Sequence, residues 1–175
     1  MEQLISAYKT VGPNRYRETY GLYYEDFEVG DIFEHRPGRT LTEVDNIWQS
    51  LICMNTHPLH IDHAYGSKTE FGKPVISSLV TLSIVGGMSV NTISAKCIAN
   101  LGWDKVRLLH PVFVGDTIYA ESKVLHKRLS QKRPHQGIAT FETRGLKADG
   151  TVFMTYERTV LLPCHDYQGD ERTDY

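Results

Sequence analysis

Three of the chain's eight histidines fall inside one short run, Asn55-Thr-His57-Pro-Leu-His60-Ile-Asp62-His63. Three uses of such a run compete. As metal ligands, His57, His60 and His63 are spaced by three, and a helix could align His57 and His60. Against this, Pro58 opposes a continuous helix, no cysteine is near, and the His-Glu-x-x-His zinc pattern is absent. As loop fasteners, histidines beside a proline turn cap or hydrogen-bond the backbone. That reading suits His63, and His57 equally with a functional one, while Asp62 suits the N-cap or first turn of a short helix. As a general base, a histidine on an irregular loop has the right chemistry, because its ordinary pKa of about 6.5 lets it take and return a proton near neutrality. Asn55 would hold a water beside such a base. Downstream, a helix starting at Ser77-Ser78 would offer free N–H groups to a developing oxyanion. Base, water holder and oxyanion donor are together what addition of water to an α,β-unsaturated thioester requires. Water attacks the β-carbon, and negative charge moves onto the thioester oxygen.

The elements that must position these groups can be read from spacing. Thr42-Glu-Val-Asp45 is a capping box with Asp where Glu is usual. Val44, Ile47, Trp48, Leu51 and Ile52 follow at helical spacing, predicting a helix over 42–53 with one apolar stripe. Pro58 restricts its predecessor to extended geometry, so 55–60 is expected to be irregular, with a short helix over 62–67 and a break at Gly72-Lys-Pro74. Ser77 or Ser78 then caps a helix reaching about Ile93, apolar on nearly every side and therefore central. Residues 27–33 read as an opening strand with a turn at Gly30-Asp31. Later strands are expected over 105–111, around the alternation Ile118, Ala120, Ser122 and Val124, and over 137–146. After an Asp149-Gly150 turn, Val152, Met154, Tyr156, Val160 and Leu162 would line one face of a last strand, interrupted by Arg158. Helices first and antiparallel strands after predict an α+β domain, a sheet wrapped around a central helix. The expected organisation is an arm over 1–20, the domain over 21–163, and a polar, frayed tail over 164–175.

The run Asn55-Thr-His-Pro-Leu-His60-Ile-Asp62, followed by Phe71-Gly-Lys-Pro-Val-Ile-Ser-Ser-Leu79, resembles the hydratase motif of the MaoC-like dehydratases, the (R)-specific enoyl-CoA hydratases. The family pattern reads Asp-x-Asn-Pro-x-His-x-Asp, then Phe-Gly-x-Pro-Ile-x-His-Gly-Met/Leu. Tyr24-Glu-Asp-Phe-Glu-Val-Gly-Asp31 resembles the family's opening strand, and Pro111-Val-Phe-Val-Gly-Asp116 its later strand signature. The resemblance implies a single hot-dog fold and an enoyl-CoA hydratase or dehydratase, with His60 as the catalytic base, Asn55 as water holder and the Ser78 N–H as oxyanion donor. It implies no metal and no redox cofactor. Two departures stand out. Asn55 occupies the place of the family's catalytic Asp and cannot accept a proton, and Ser77-Ser78 replace a His-Gly pair. Asp45 or His57 could substitute for the missing carboxylate. The set Met-Asn-Thr-His-Pro-Leu-His with Asn100-Leu-Gly-Trp-Asp-Lys-Val-Arg107 resembles a subgroup associated with C5 dicarboxylyl-CoA thioesters, itaconyl-CoA or mesaconyl-CoA. For the second carboxylate of such a substrate, Ser77, Ser78, His57 and Arg107 are the candidates. Lys105, Arg107, Lys127, Arg128, Lys132 and Arg133 are available to CoA phosphates, although residues 127–133 also read as a solvated hairpin loop.

Composition limits the alternatives. With 19 Lys+Arg against 21 Asp+Glu in 175 residues, net charge −2, no overall pull toward nucleic acid or anionic membrane is expected. Three widely separated cysteines, Cys53, Cys97 and Cys164, fit neither a disulfide framework nor a Cys-x-x-Cys zinc site, so a reducing, cytoplasmic setting is expected. No signal pattern marks residues 1–12, and the apolar run 75–90 is shorter than the roughly 20 residues of a membrane-spanning helix. No phosphate-binding glycine motif occurs. The family pairs hot-dog units, so a homodimer or larger homo-oligomer is expected, with CoA near the interface. Rival readings are a hot-dog thioesterase driven by Asp45 or Asp62, a non-catalytic acyl-CoA-binding relative, and a hydratase acting on carrier-bound acyl groups.

Overall fold

The computed structural model describes residues 7–169. Strands β1 (Tyr8–Gly12) and β2 (Arg15–Glu18) form a separate antiparallel hairpin. The main sheet contains β3 (Ile32–Thr40), β4 (Ala99–Leu108), β5 (Thr117–Leu129), β6 (Gln136–Lys147) and β7 (Val152–Pro163). Their order is β3-β5-β6-β7-β4, with every neighbouring pair antiparallel. The helices are α1 (Glu43–Ile52), α2 (Pro58–Ile61), α3 (His63–Gly66) and α4 (Ser78–Met88), and α4 continues into a π-helical turn, Val90–Ser94. This is the expected α+β, hot-dog arrangement.

The core explains why α4 is apolar all round. Val80 and Val85 cluster with Ile118 and Ala120 of β5 and Phe153 and Tyr156 of β7. Beyond its end, Ile93 joins Phe27, Val124, Phe141 and Leu162 in a second cluster. Each Val, Ile, Leu or Phe among them, fully buried, stabilises the fold by about 1.5–3 kcal/mol. Gly86 lets the helix approach β4: a Cβ there would lie 3.0 Å from the Trp103 ring. At the β6–β7 turn Gly150 has φ 86, a left-handed conformation that glycine takes without steric cost.

Several expectations are corrected. Phe27 is not in a strand; it follows a 3₁₀ turn, Tyr24–Asp26, as a fully buried plug, and the strand starts at Ile32. The strand expected over 105–111 runs from Ala99 to Leu108 instead, with Gly102 inside it. Residues 58–61 form a helical turn rather than an irregular loop, because Pro58 occupies its first position, where a missing N–H costs nothing, and His57 takes the extended geometry. Arg158 does not interrupt the inner face of β7. It lies on it, 8% exposed, its guanidinium donating to Asn100 Oδ1 at 2.8 Å and stacking over Trp103 at 4.9 Å. The described part of the tail is fastened, not frayed: Cys164 N–H donates to His135 O at 2.9 Å, and His165 Nε2 pairs with Asp26 at 2.9 Å. The rest of the tail, 170–175, and residues 1–6 of the arm lie outside the described residues.

The apolar stripe of α1 holds the largest surprise. The capping box forms, with Asp45 Oδ2 accepting from Thr42 N–H at 2.8 Å and Thr42 Oγ1 accepting from Asp45 N–H at 3.3 Å. Yet the residues α1 buries are Asn46 and Ser50, one turn apart, while Val44, Trp48, Leu51 and Ile52 are 63, 67, 53 and 73% exposed. The helix turns a polar face inward.

Candidate active site

That inward polar face ties the site together. Asn46, 2% exposed, donates from Nδ2 to His60 O at 2.7 Å and accepts at Oδ1 from Ser77 N–H at 2.9 Å. One amide thus pins the histidine turn α2 to the start of α4. Main-chain bonds reinforce it: Val75 N–H donates to Leu59 O at 3.1 Å, and Ile76 N–H donates to Val112 O at 2.8 Å. Gly66 permits the close fit, since a Cβ there would meet Pro74 N at 2.7 Å.

His60 Nδ1 lies 2.9 Å from Val75 O. A carbonyl can only accept, so Nδ1 carries the hydrogen and Nε2 of the neutral ring keeps its lone pair as a base. His60 and Ser78 line one cavity of about 330 Å³, with Thr81, His110 and an apolar wall that includes Phe71, Val75, Leu108 and Phe153. At the start of α4, Ser77 N–H is taken by Asn46, and Ser77 O receives Val80 N–H at 3.0 Å and Thr81 N–H at 3.2 Å. The N–H of exposed Ser78 makes no hydrogen bond among the described residues, as expected for the first turn of a helix. The residue with the free imidazole nitrogen and the residue with the unbonded N–H therefore line the same space.

The other expected residues stand around this pair. Asn55 N–H donates to Ser50 O at 2.8 Å; its Oδ1 accepts from His57 N–H at 3.2 Å and its Nδ2 donates to Ser77 Oγ at 3.3 Å. It backs the cavity without lining it. Ser77 is buried at 1% exposure, and its hydroxyl holds Asn55 instead of capping α4. His57 caps α2, Nδ1 accepting from Leu59 N–H at 3.2 Å, with its ring 5.9 Å from that of His60. His63 pairs with Glu43, and Asp62 caps α3 by accepting Tyr65 N–H at 3.0 Å. Asp45 is committed to Thr42 and Arg39. Burial alone would raise its carboxyl, but the Thr42 hydrogen bonds and the Arg39 charge outweigh this and hold it below the usual range. Arg107 is not brought to the His60 cavity; it shares another with Lys105, Glu142 and Glu157. Lys127 is tied to Phe27 O and to Glu28, whereas Arg128, Lys132 and Arg133 line a cavity with Leu101, near the opposite end of β4 from Leu108.

Two residues of the site went unread in the sequence. Asn46 could have been suspected from the small polar pair Asn46/Ser50 opposite the apolar stripe. His110 carries no such signal, because only closure of the sheet brings the end of β4 to the start of α4.

No helix among the described residues is long and apolar enough to cross a membrane. Residues 8–173 match the family model described as mesaconyl-CoA hydratase. The chain is 28% identical over 146 residues to a mesaconyl-CoA hydratase of Cereibacter sphaeroides, covering 83% of this chain and 42% of that protein. It is 33% identical over 107 residues to the (R)-specific enoyl-CoA hydratase of Aeromonas caviae, covering 61% of this chain and 75% of that one. A crystal structure of a MaoC domain protein dehydratase from Chloroflexus aurantiacus superposes with a TM-score of 0.79 at 29% identity, covering 83% of this chain and 41% of that one. The chain spans about two fifths of the length of the mesaconyl-CoA hydratases it matches in Cereibacter sphaeroides and Haloarcula marismortui. With its sheet, its histidine turn and nearly its whole length matched, the chain belongs to the mesaconyl-CoA hydratase family.

Proposed function

We propose that the protein hydrates, reversibly, an α,β-unsaturated acyl-CoA whose acyl group is a C5 dicarboxylate of the mesaconyl type. The observation that carries this reading is the shared cavity of His60 and the Ser78 helix start. Water bound at His60 Nε2 gives its proton to the ring as its oxygen attacks the β-carbon. Charge passes to the thioester oxygen, where the Ser78 N–H donates to it. The imidazolium then returns the proton to the α-carbon, so the elements of water are added with no net proton change. Asn55 supports this start of α4 from behind the cavity, its Nδ2 donating to the Ser77 hydroxyl. The carboxylates that a thioesterase would require, Asp45 and Asp62, are both occupied as helix caps, which favours hydration over hydrolysis.

The reading extends to a homodimer. Its support is two sets of exposed apolar residues that a second copy would cover, the stripe of α1 and Leu101, Trp103, Val106 and Leu108 on edge strand β4. CoA phosphates are assigned to Arg128, Lys132 and Arg133. A cytoplasmic setting is supported by three cysteines that are all unpaired. Purified protein should be incubated with crotonyl-, mesaconyl- and itaconyl-CoA while enoyl-thioester absorbance and free thiol are followed. Loss of absorbance without thiol is the expected result. Thiol release would make the protein a thioesterase, and retained CoA binding without either change would make it a non-catalytic binder.

A further inference from the structure

We propose that His110, which lines the same cavity as His60, determines specificity by binding the free carboxylate of a dicarboxylyl thioester. The inference rests on the hydratase reading and names the residue behind its substrate class. Among the residues lining the cavity only His60 and His110 can carry positive charge. His60 is committed: Nδ1 donates to Val75 O, and Nε2 must be unprotonated to take a proton from water. Thr81 spends its hydroxyl hydrogen on Ser78 O at 3.0 Å. Lys73, close in sequence to Phe71 and Val75 of the cavity wall, is engaged elsewhere, over the Phe113 ring at 4.4 Å. An anionic acyl group entering this otherwise apolar space would therefore lack a counter-charge without His110, and burying an uncompensated carboxylate is costly.

The backbone around His110 is fixed. Leu109 and His110 N–H both donate to Phe153 O, at 2.8 and 3.3 Å, and Pro111 follows. Val112 O then receives Ile76 N–H, two residues before Ser78. The imidazole is thus carried on a wall joined directly to the oxyanion end of the site. The cavity volume of about 330 Å³ lies at the lower end of ligand pockets, which suits a short acyl group rather than a long chain.

The test compares kcat/KM for mesaconyl-CoA and crotonyl-CoA, which differ by the second carboxylate, in wild type, His110→Gln and His110→Arg. The mesaconyl-to-crotonyl ratio is expected to fall about 10- to 100-fold in His110→Gln, the loss appearing in KM for mesaconyl-CoA, as removal of a charge-assisted hydrogen bond predicts. His110→Arg should recover most of the ratio. An unchanged ratio in His110→Gln, or no recovery in His110→Arg, overturns the assignment. Wild-type protein that hydrates crotonyl-CoA but not mesaconyl-CoA also overturns it while leaving the hydratase reading intact; hydration of neither overturns that reading and this one together.

Discussion

At the scale of single residues, the site depends on amide and imidazole groups held by main-chain atoms. Asn46 is the joint: it meets a carbonyl of α2 and an N–H at the start of α4 from a buried position. Asn46→Ala leaves both groups without that partner, and destabilisation of about 2–4 kcal/mol is expected in urea titrations. A loss below 0.5 kcal/mol on the same order-of-magnitude scale, about that of a surface change, would contradict the role. His35 makes a different prediction. It is buried, with Nε2 2.9 Å from Ser122 Oγ, which in turn lies 2.8 Å from Thr143 Oγ1, and Nδ1 has no partner among the described residues. Burial, aided by the Arg36 charge, lowers its pKa to about 4. Below its ordinary pKa of about 6.5 the unfolded chain takes up a proton that the folded chain refuses until about pH 4. Stability is therefore expected to fall by about 3 kcal/mol on acidification through that window and to lose no more from this group below it. Thermal melts of wild type and His35→Gln across the window check this, and equal pH slopes would contradict it.

At the scale of elements, much of the fold was legible because its signals are local. A capping box, an Asp-Gly hairpin and alternating strands act within a few residues, and the structure contains a helix, turn or strand at each, whereas Pro58 was read as marking an irregular segment and instead heads a helical turn. The other failures were mostly long-range. The sequence showed α1 with one apolar stripe, yet the helix buries Asn46 and Ser50 instead, Asn46 because it serves backbone groups of two other segments. Arg158 was read as an interruption of β7, though Asn100, Ser89 and Trp103 supply it with partners from elsewhere in the chain. Of the site, His60 and Ser78 were legible from the motif. Asn46 and His110 were not, because each acquires its place only when distant segments meet. The exposed face of α1 now carries its own expectation. Trp48→Glu puts charge into the middle of the apolar stripe, and sedimentation at micromolar concentration should show wild-type dimer and variant monomer. A monomeric wild type would contradict the proposed self-association.

At the scale of the whole molecule, a sheet built around one buried helix brings the free N-terminus of that helix to a short loop bearing a histidine. The core contributes by fixing α4 against β5 and β7, and Asn46 ties the start of α4 to the turn that bears His60. Replacement of the family's carboxylate by Asn55 leaves His60 as the one proton acceptor assigned to the reaction. The most direct measurement is therefore the enoyl-thioester absorbance of mesaconyl-CoA, followed together with free thiol, for wild type and His60→Ala. The prediction is absorbance loss without thiol in wild type and a rate lower by about 100-fold or more in His60→Ala, the scale of general acid–base catalysis. Thiol release by wild type, or an undiminished rate in His60→Ala, would contradict it.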